Sequence, residues 1–212
     1  MNIAILGNST PDPVADVFAE TLAERLSSPR PQEVSRNRTP RPHHKLVVTG
    51  SRSGIPEAVR RGAQRAPSRH VSIHYVEKLH ADVESAWIQE GYYRFPHSSF
   101  VDRANFVSTT SAVIFFDINR ANVGTALTLL HEQREDTAKI LTHRPPRRIL
   151  LFRDAIFHGR NSDPRLAELT HLFGRYVDAS DLSHLKIFHN LEDAEELIDA
   201  FEATLQDLSS HI

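Results

Sequence analysis

The sequence predicts an α/β fold: a Rossmann-like, doubly wound parallel sheet forming a single three-layer domain over residues 1–212. Three observations lead there. Short apolar runs alternate with amphipathic stretches along the whole length, as in a succession of βαβ units. The runs are continuous in Ile, Val and Leu rather than alternating with polar residues, as expected of strands covered on both faces. Two of them pass through glycine-containing turns directly into helical spacing.

The first run, Asn2–Gly7, reads as a buried strand ending in a Gly-Asn-Ser-Thr turn. After Pro11-Asp12-Pro13, apolar residues at Val14, Val17, Phe18, Leu22 and Leu26 fall at helical spacing behind a well-placed proline. Residues 28–44 hold Pro29, Pro31, Pro40 and Pro42 with five charged residues and no apolar period, and so predict a Pro/Arg-rich loop. Lys45–Gly50 is the second strand, followed by a helix over Pro56–Gln64, and His70–Val76 is the third strand. The stretch 77–96 reads as a short helix, Asp82–Gln89, then Gly91 and Pro96. Helical spacing over Ser99–Ser111 leads into Ala112–Asp117, the most hydrophobic strand. A helix from about Val123 to Arg134, a strand at Arg148–Phe152 and a helix over Asp163–Phe173 follow. The chain closes with a strand at His184–His189 and an amphipathic helix marked by Leu191, Ala194, Leu197, Ile198, Phe201 and Leu205.

Composition narrows the function classes. With 40% apolar and 25% charged residues, the 212-residue chain is neither collagen-like, nor a coiled coil, nor wholly disordered. The absence of cysteine removes disulfide scaffolds, thiolate zinc sites and cysteine nucleophiles. No stretch approaches the ~20 apolar residues of a membrane helix, and Met1–Gly7 meets Asn8-Ser9-Thr10 too early for a signal peptide. A cytoplasmic protein without membrane contact is expected. Net charge is −2, yet residues 30–70 carry ten Arg/Lys against Glu33 and Glu57, so that segment stands at +8 and the remainder at −10.

In doubly wound sheets, ligands sit beyond the carboxyl ends of the strands, where strand order reverses. The informative loops are therefore Gly7–Thr10, Gly50–Gly54 and Asp117–Thr125. Gly50-Ser51-Arg52-Ser53-Gly54 has arginine where a nucleophile elbow needs serine, and no P-loop or G-x-G-x-x-G follows any strand. His131-Glu132-Gln133-Arg134-Glu135 lacks the second histidine of a zincin. Thirteen histidines include His43-His44 and the His70/His74 pair, but without an acid or thiolate at fixed offset no metal site is predicted. The glycine loop suits a phosphate: Gly50 and Gly54 let backbone approach an anion, Ser51 and Ser53 supply hydroxyls, and Arg52 supplies charge. The same glycines equally suit a tight strand-to-helix turn. Gly124-Thr125 repeats the arrangement after the fourth strand, with Arg120 beside it and Arg103 on the preceding helix.

These residues resemble the SLOG superfamily, which unites the Lonely Guy (LOG) phosphoribohydrolases, the molybdenum-cofactor carrier-like proteins and the Smf/DprA proteins. The resemblance runs in order through nearly the whole chain. Ile3–Ser9 is similar to the opening strand and its loop, and Thr49–Ile55 with Glu57-Ala58 and Arg61-Gly62-Ala63 to the glycine loop and its helix. Arg103, eight residues before Ser111-Ala112-Val113-Ile114, matches the arginine preceding the family's S-D-A-V-I strand, and Gly124-Thr125 its second phosphate loop. LOG enzymes carry P-G-G-x-G-T-x-x-E; here Asn119-Arg120-Ala121-Asn122-Val123 precedes Gly124-Thr125, and Thr128 stands at the glutamate position. Threonine neither stabilises oxocarbenium character nor activates water well. Asp117, at the end of the fourth strand, is the better placed of two replacements, Glu132 being the other.

The resemblance implies a nucleotide-binding protein acting as an N-glycosidic hydrolase of nucleoside 5'-monophosphates with an atypical site, Arg103 and Asp117 being catalytic. Gly7, Asn8, Ser9, Gly50, Ser51, Arg52, Ser53, Gly54, Arg120, Gly124 and Thr125 would bind the ligand, with no cofactor and no metal. Two alternatives stand beside it. Phe95-Pro96, Arg103-Ala104-Asn105, Ser111 and Gly124-Thr125 follow the order of DprA motifs, which implies non-catalytic binding of single-stranded DNA. The other is a nucleotide sensor or carrier. Partners are a nucleotide or other phosphate-bearing small molecule and, by the family's habit, a second copy in a homodimer.

Overall fold

The computed structural model describes residues 2–28, 44–66, 70–80, 87, 90–110, 112–116, 122–128, 148–152 and 185–188. Among the described residues, seven strands form one parallel sheet: β1 (Asn2–Leu6), β2 (Lys45–Thr49), β3 (Val71–Val76), β4 (Tyr93–His97), β5 (Ala112–Phe115), β6 (Arg148–Phe152) and β7 (Leu185–Phe188). Their order is β4-β3-β2-β1-β5-β6-β7. The chain builds leftward from β1 to β4, then returns to the other side of β1 and builds rightward, so strand order reverses between β1 and β5. Leu6 is paired with Phe115 there, and the Phe116 amide donates to the Leu6 carbonyl at 2.8 Å. This is the Rossmann-like α/β architecture that the alternating runs predict.

Burial follows from the strand period of two. Ile3 and Ile5, Leu46 and Val48, Ile73 and Tyr75, and Ile114 and Phe116 join one core with α1 (Pro13–Ser27) and α2 (Gly54–Arg65). Phe18, Leu22 and Leu26 of α1 and Ile55, Val59 and Ala63 of α2 complete it. The intervening residues Ala4, Leu6, Val47, Val113 and Phe115 are buried as well, so the central strands are covered on both sides. On that second side lies α4 (Phe100–Val107), whose Phe106 stacks on His74 of β3 at 4.3 Å between ring centroids. A single turn, α3 (Glu77–His80), follows β3, and a further helix, α5, is described over 123–128.

Where α1 crosses α2, Gly62 brings the backbones together: a β-carbon there would stand 2.0 Å from the Glu20 carbonyl oxygen. The Glu20 carboxylate then takes Arg61 at 2.9 Å and Arg65 as ion-pair partners, fixing the crossing from outside.

Three elements differ from the sequence reading. β4 is a strand that no apolar run announces, because it is an edge strand among the described residues: most of it is exposed, and Pro96 is tolerated where one side of the strand has no described neighbour to receive an amide. α2 begins at Gly54 rather than Pro56, the proline falling within the first turn. α4 ends at Val107, where the hydroxyls of Ser108, Thr109 and Thr110 donate back to the carbonyls of Asn105, Phe106 and Val107 and so satisfy the last carbonyls of the helix. Its start is capped by Ser99, whose hydroxyl accepts the Asp102 amide at 3.1 Å. The expected helices at Asp163–Phe173 and 191–205 and most of Asp82–Gln89 lie outside the described residues, as does the loop over 29–43. Among the described residues no helix is long and apolar enough to cross a membrane.

Candidate functional site

The reversal of strand order at β1 and β5 opens the crevice in which such sheets bind ligands. Three loop tips border it. The tip after β1 presents Asn8 and Ser9 to solvent, and the Asn8 Oδ1 accepts the Thr10 amide at 3.0 Å to hold the turn. The tip after β2 is docked directly on it: the Ser53 hydroxyl donates to the Ser9 carbonyl at 2.5 Å, and the Ile55 amide to the Asn8 carbonyl at 3.0 Å. Gly7 allows this approach, since a β-carbon there would fall 2.5 Å from the Ile55 side chain.

This docking gives several loop residues a job within the fold. The Gly50 amide donates to the His74 carbonyl at 3.1 Å. The Ser51 hydroxyl accepts the Ser53 amide at 3.3 Å and contacts the Ser53 carbonyl at 3.2 Å. Gly54 has a positive φ of 62° and lies against Asn8 and Ser9. Arg52 projects outward and is exposed. The glycine loop is therefore a brace between β1 and β2 tips, leaving Asn8, Ser9 and Arg52 facing outward.

The tip before α5 is differently built. The Asn122 carbonyl accepts the amides of Thr125 at 3.0 Å and Ala126 at 3.3 Å, which starts the helix. A β-carbon on Gly124 would meet only the Ala104 β-carbon, at an ordinary 3.7 Å, among the described residues. No described neighbour demands glycine there. Thr125 is buried, and the Thr128 hydroxyl donates back to the Gly124 carbonyl at 2.9 Å. Asp117 and Arg120 lie outside the described residues.

Arg103 is carried on α4, one residue before the alanine that abuts Gly124, and is only 4% exposed. Its guanidinium stands 4.9 Å from the Phe100 ring centroid. Burial lowers its pKa to about 10, so it remains a cation at neutral pH.

Behind Arg103 lies a constellation that the sequence reading did not assemble. The His74 Nδ1 and His97 Nε2 are 2.9 Å apart, and the His74 Nε2 is 3.3 Å from the Ser72 hydroxyl, which donates to the Leu46 carbonyl at 3.3 Å. With the serine proton committed to Leu46, the serine oxygen accepts the His74 Nε2–H. The His74 Nδ1 then accepts from the His97 Nε2–H. Burial, His97 and Arg103 in that order push the His74 pKa down to about 3, so the ring is neutral. Burial and Arg103 also lower His97, against an opposing pull from Asp102. A cation between the two imidazoles would face the Arg103 charge, and among the described residues no group of three metal-ligating side chains exists. The available signal was the i, i+2 series Tyr93, Phe95, His97, which only a strand places on one face.

The fold is a Rossmann-like α/β architecture whose strand order reverses between β1 and β5. No family model and no curated protein matches the sequence. Two solved structures share the fold along nearly the full length. One is the molybdenum cofactor carrier protein MCP from Chlamydomonas reinhardtii, with a TM-score of 0.53, 11% identity, and coverage of 97% of this chain and 98% of that one. The other is the molybdenum cofactor binding protein from the phototrophic bacterium Rippkaea orientalis, with a TM-score of 0.55, 14% identity, and coverage of 94% and 96%.

Proposed function

We propose that this protein binds a phosphate-bearing small molecule at the β1/β5 crevice and carries or senses it without chemical turnover. The observation that carries this reading is the switch point itself, bordered by exposed Asn8 and Ser9 on one side and by Gly124 on the other, where no described neighbour requires glycine. The turn at Gly124 receives the phosphate, Arg103 contributes positive potential from α4, and Asn8, Ser9 and Arg52 contact the remainder of the ligand. Asp117 and Arg120 fall in the sequence between β5 and Gly124, outside the described residues. The fold shared with two proteins described as carrying or binding molybdenum cofactor supports cargo binding over catalysis, and makes that cofactor a candidate cargo beside the nucleoside 5'-monophosphates.

The hydrolase expected from the LOG resemblance fits less well. The glutamate position holds Thr128, and its hydroxyl is engaged with its own helix backbone. No carboxylate among the described residues replaces it at that turn.

The test is a thermal-shift series with nucleoside 5'-monophosphates and with molybdenum cofactor released from a molybdoenzyme, followed by chromatography of each recovered ligand. A carrier gains about 2.7 kcal/mol at a hundredfold excess over Kd and returns its ligand intact. Release of free base or ribose 5-phosphate, abolished in Asp117→Asn, would restore the hydrolase; no stabilisation by any member would overturn the binding site.

A further inference from the structure

A second concavity lies on the sheet face opposite α1 and α2, at the amino-terminal ends of β1 and β2 and therefore at the other end of the strands from the crevice. It encloses about 340 Å³, within the roughly 300–1,000 Å³ range of small-molecule pockets. Its walls are flat rings set nearly parallel. His70 and Tyr93 lie 6° apart in plane, and Phe95 and Phe106 flank His74 at 6° and 16°. Tyr93, Phe95 and Phe106 are 59%, 44% and 42% exposed, an apolar ring surface turned toward solvent.

The polar groups around these rings have a defined sense. The hydroxyls of Ser72, Thr109 and Thr110 give their protons to the carbonyls of Leu46, Phe106 and Val107. Lys45, which opens β2, and Asn2, which opens β1, are the wall residues whose side chains bring an ammonium and an amide donor. No carboxylate lines the concavity among the described residues. The histidine at its base, stacked between its ring neighbours and bonded to Ser72 and His97, is kept neutral first by its burial and then by the nearby His97 and Arg103, so it offers a ring face rather than a charge.

We infer that this concavity is a binding site for a planar, bicyclic aromatic carboxylate, its rings stacked on Tyr93 and Phe106 and its anion on Lys45. Ring faces supply stacking, and one cation without a competing acid selects an anionic substituent. A flexible aliphatic acid of the same charge gains the ion pair and loses the stacking. The site goes beyond the crevice and is independent of what the crevice binds.

The probe is 2-naphthoate, followed by its fluorescence on titration with the full chain at pH 7. One saturable site is expected, weakened at least tenfold by Tyr93→Thr and separately by Lys45→Gln. Both positions are exposed, and Tyr93→Thr keeps strand propensity, so a melting curve verifies that each variant is folded; Lys78→Gln, on α3, leaves the affinity unchanged. Equimolar cyclohexanecarboxylate leaves the probe bound, and excess guanosine 5'-monophosphate does the same. Absence of saturation, equal affinity in folded Tyr93→Thr and Lys45→Gln, displacement by cyclohexanecarboxylate, or displacement by the nucleotide would each overturn the assignment, the last by placing the probe in the crevice.

Discussion

Gly54 and Asn8 lock two strand tips together. A β-carbon on the glycine would lie 2.3 Å from the asparagine carbonyl oxygen, the same oxygen that accepts the Ile55 amide at 3.0 Å. The contact combines a steric demand with a conformational one, since the φ of Gly54 is 62°. It makes the glycine-rich loop a brace between the β1 and β2 tips within the fold.

Gly54→Ala is accordingly expected to destabilise the protein by about 2–4 kcal/mol, from positive-φ strain and backbone displacement together. Urea denaturation measures it. A loss below about 0.5 kcal/mol would mean that the two tips separate at little cost.

The α1–α2 crossing makes a parallel prediction with a different cause. Gly62→Ala places a methyl 2.0 Å from the Glu20 carbonyl oxygen, where backbone rather than a pliable side chain must yield. The helices separate, and the expected cost is about 2–4 kcal/mol. Glu20→Gln, which keeps the shape but weakens the pairs to half-exposed Arg61 and Arg65, costs no more than about 1 kcal/mol. The ratio of the two, read by denaturation, separates packing from charge.

Acid stability follows from His74. Its folded pKa is lowered from 6.5 to about 3, so below about pH 6.5 the unfolded chain holds a proton that the folded chain refuses. Stability is therefore full above 6.5 and declines as pH falls toward 3, with a slope approaching about 1.4 kcal/mol per pH unit for this one group. Denaturant midpoints at pH 7, 6, 5 and 4 test it. His74→Phe, which retains stacking with Phe95 and Phe106, flattens the profile by about one proton; an unchanged slope would contradict the assignment.

The central strands were legible because each is buried on both faces and so is written as an uninterrupted apolar run: Ile3–Leu6 and Leu46–Val48 leave no other reading. β4 was not, since Tyr93, Phe95 and Pro96 are exposed on an edge and the strand is held by backbone pairing to β3 and by ring stacking on His74. Losing that strand also hid the His74–His97 pair, whose partners stand 23 residues apart and meet only through strand register. The glycine loop was legible as a motif, since sequence marks where a backbone approaches something closely; the structure adds the neighbouring loop as one thing it approaches.

Gly124 is the counterpart to Gly54. Its β-carbon position is open among the described residues, so Gly124→Ala is expected to change stability by less than about 0.5 kcal/mol while obstructing a phosphate at the crevice. The most direct test of the account is a calorimetric titration of wild type and Gly124→Ala with the nucleoside monophosphate or cofactor that stabilises the wild type most. The account predicts one site per chain in the wild type, a ligand recovered chemically intact, and at least tenfold weaker binding in a variant of unaltered melting temperature. Equal affinity in the two proteins, or recovery of cleaved ligand, would contradict it.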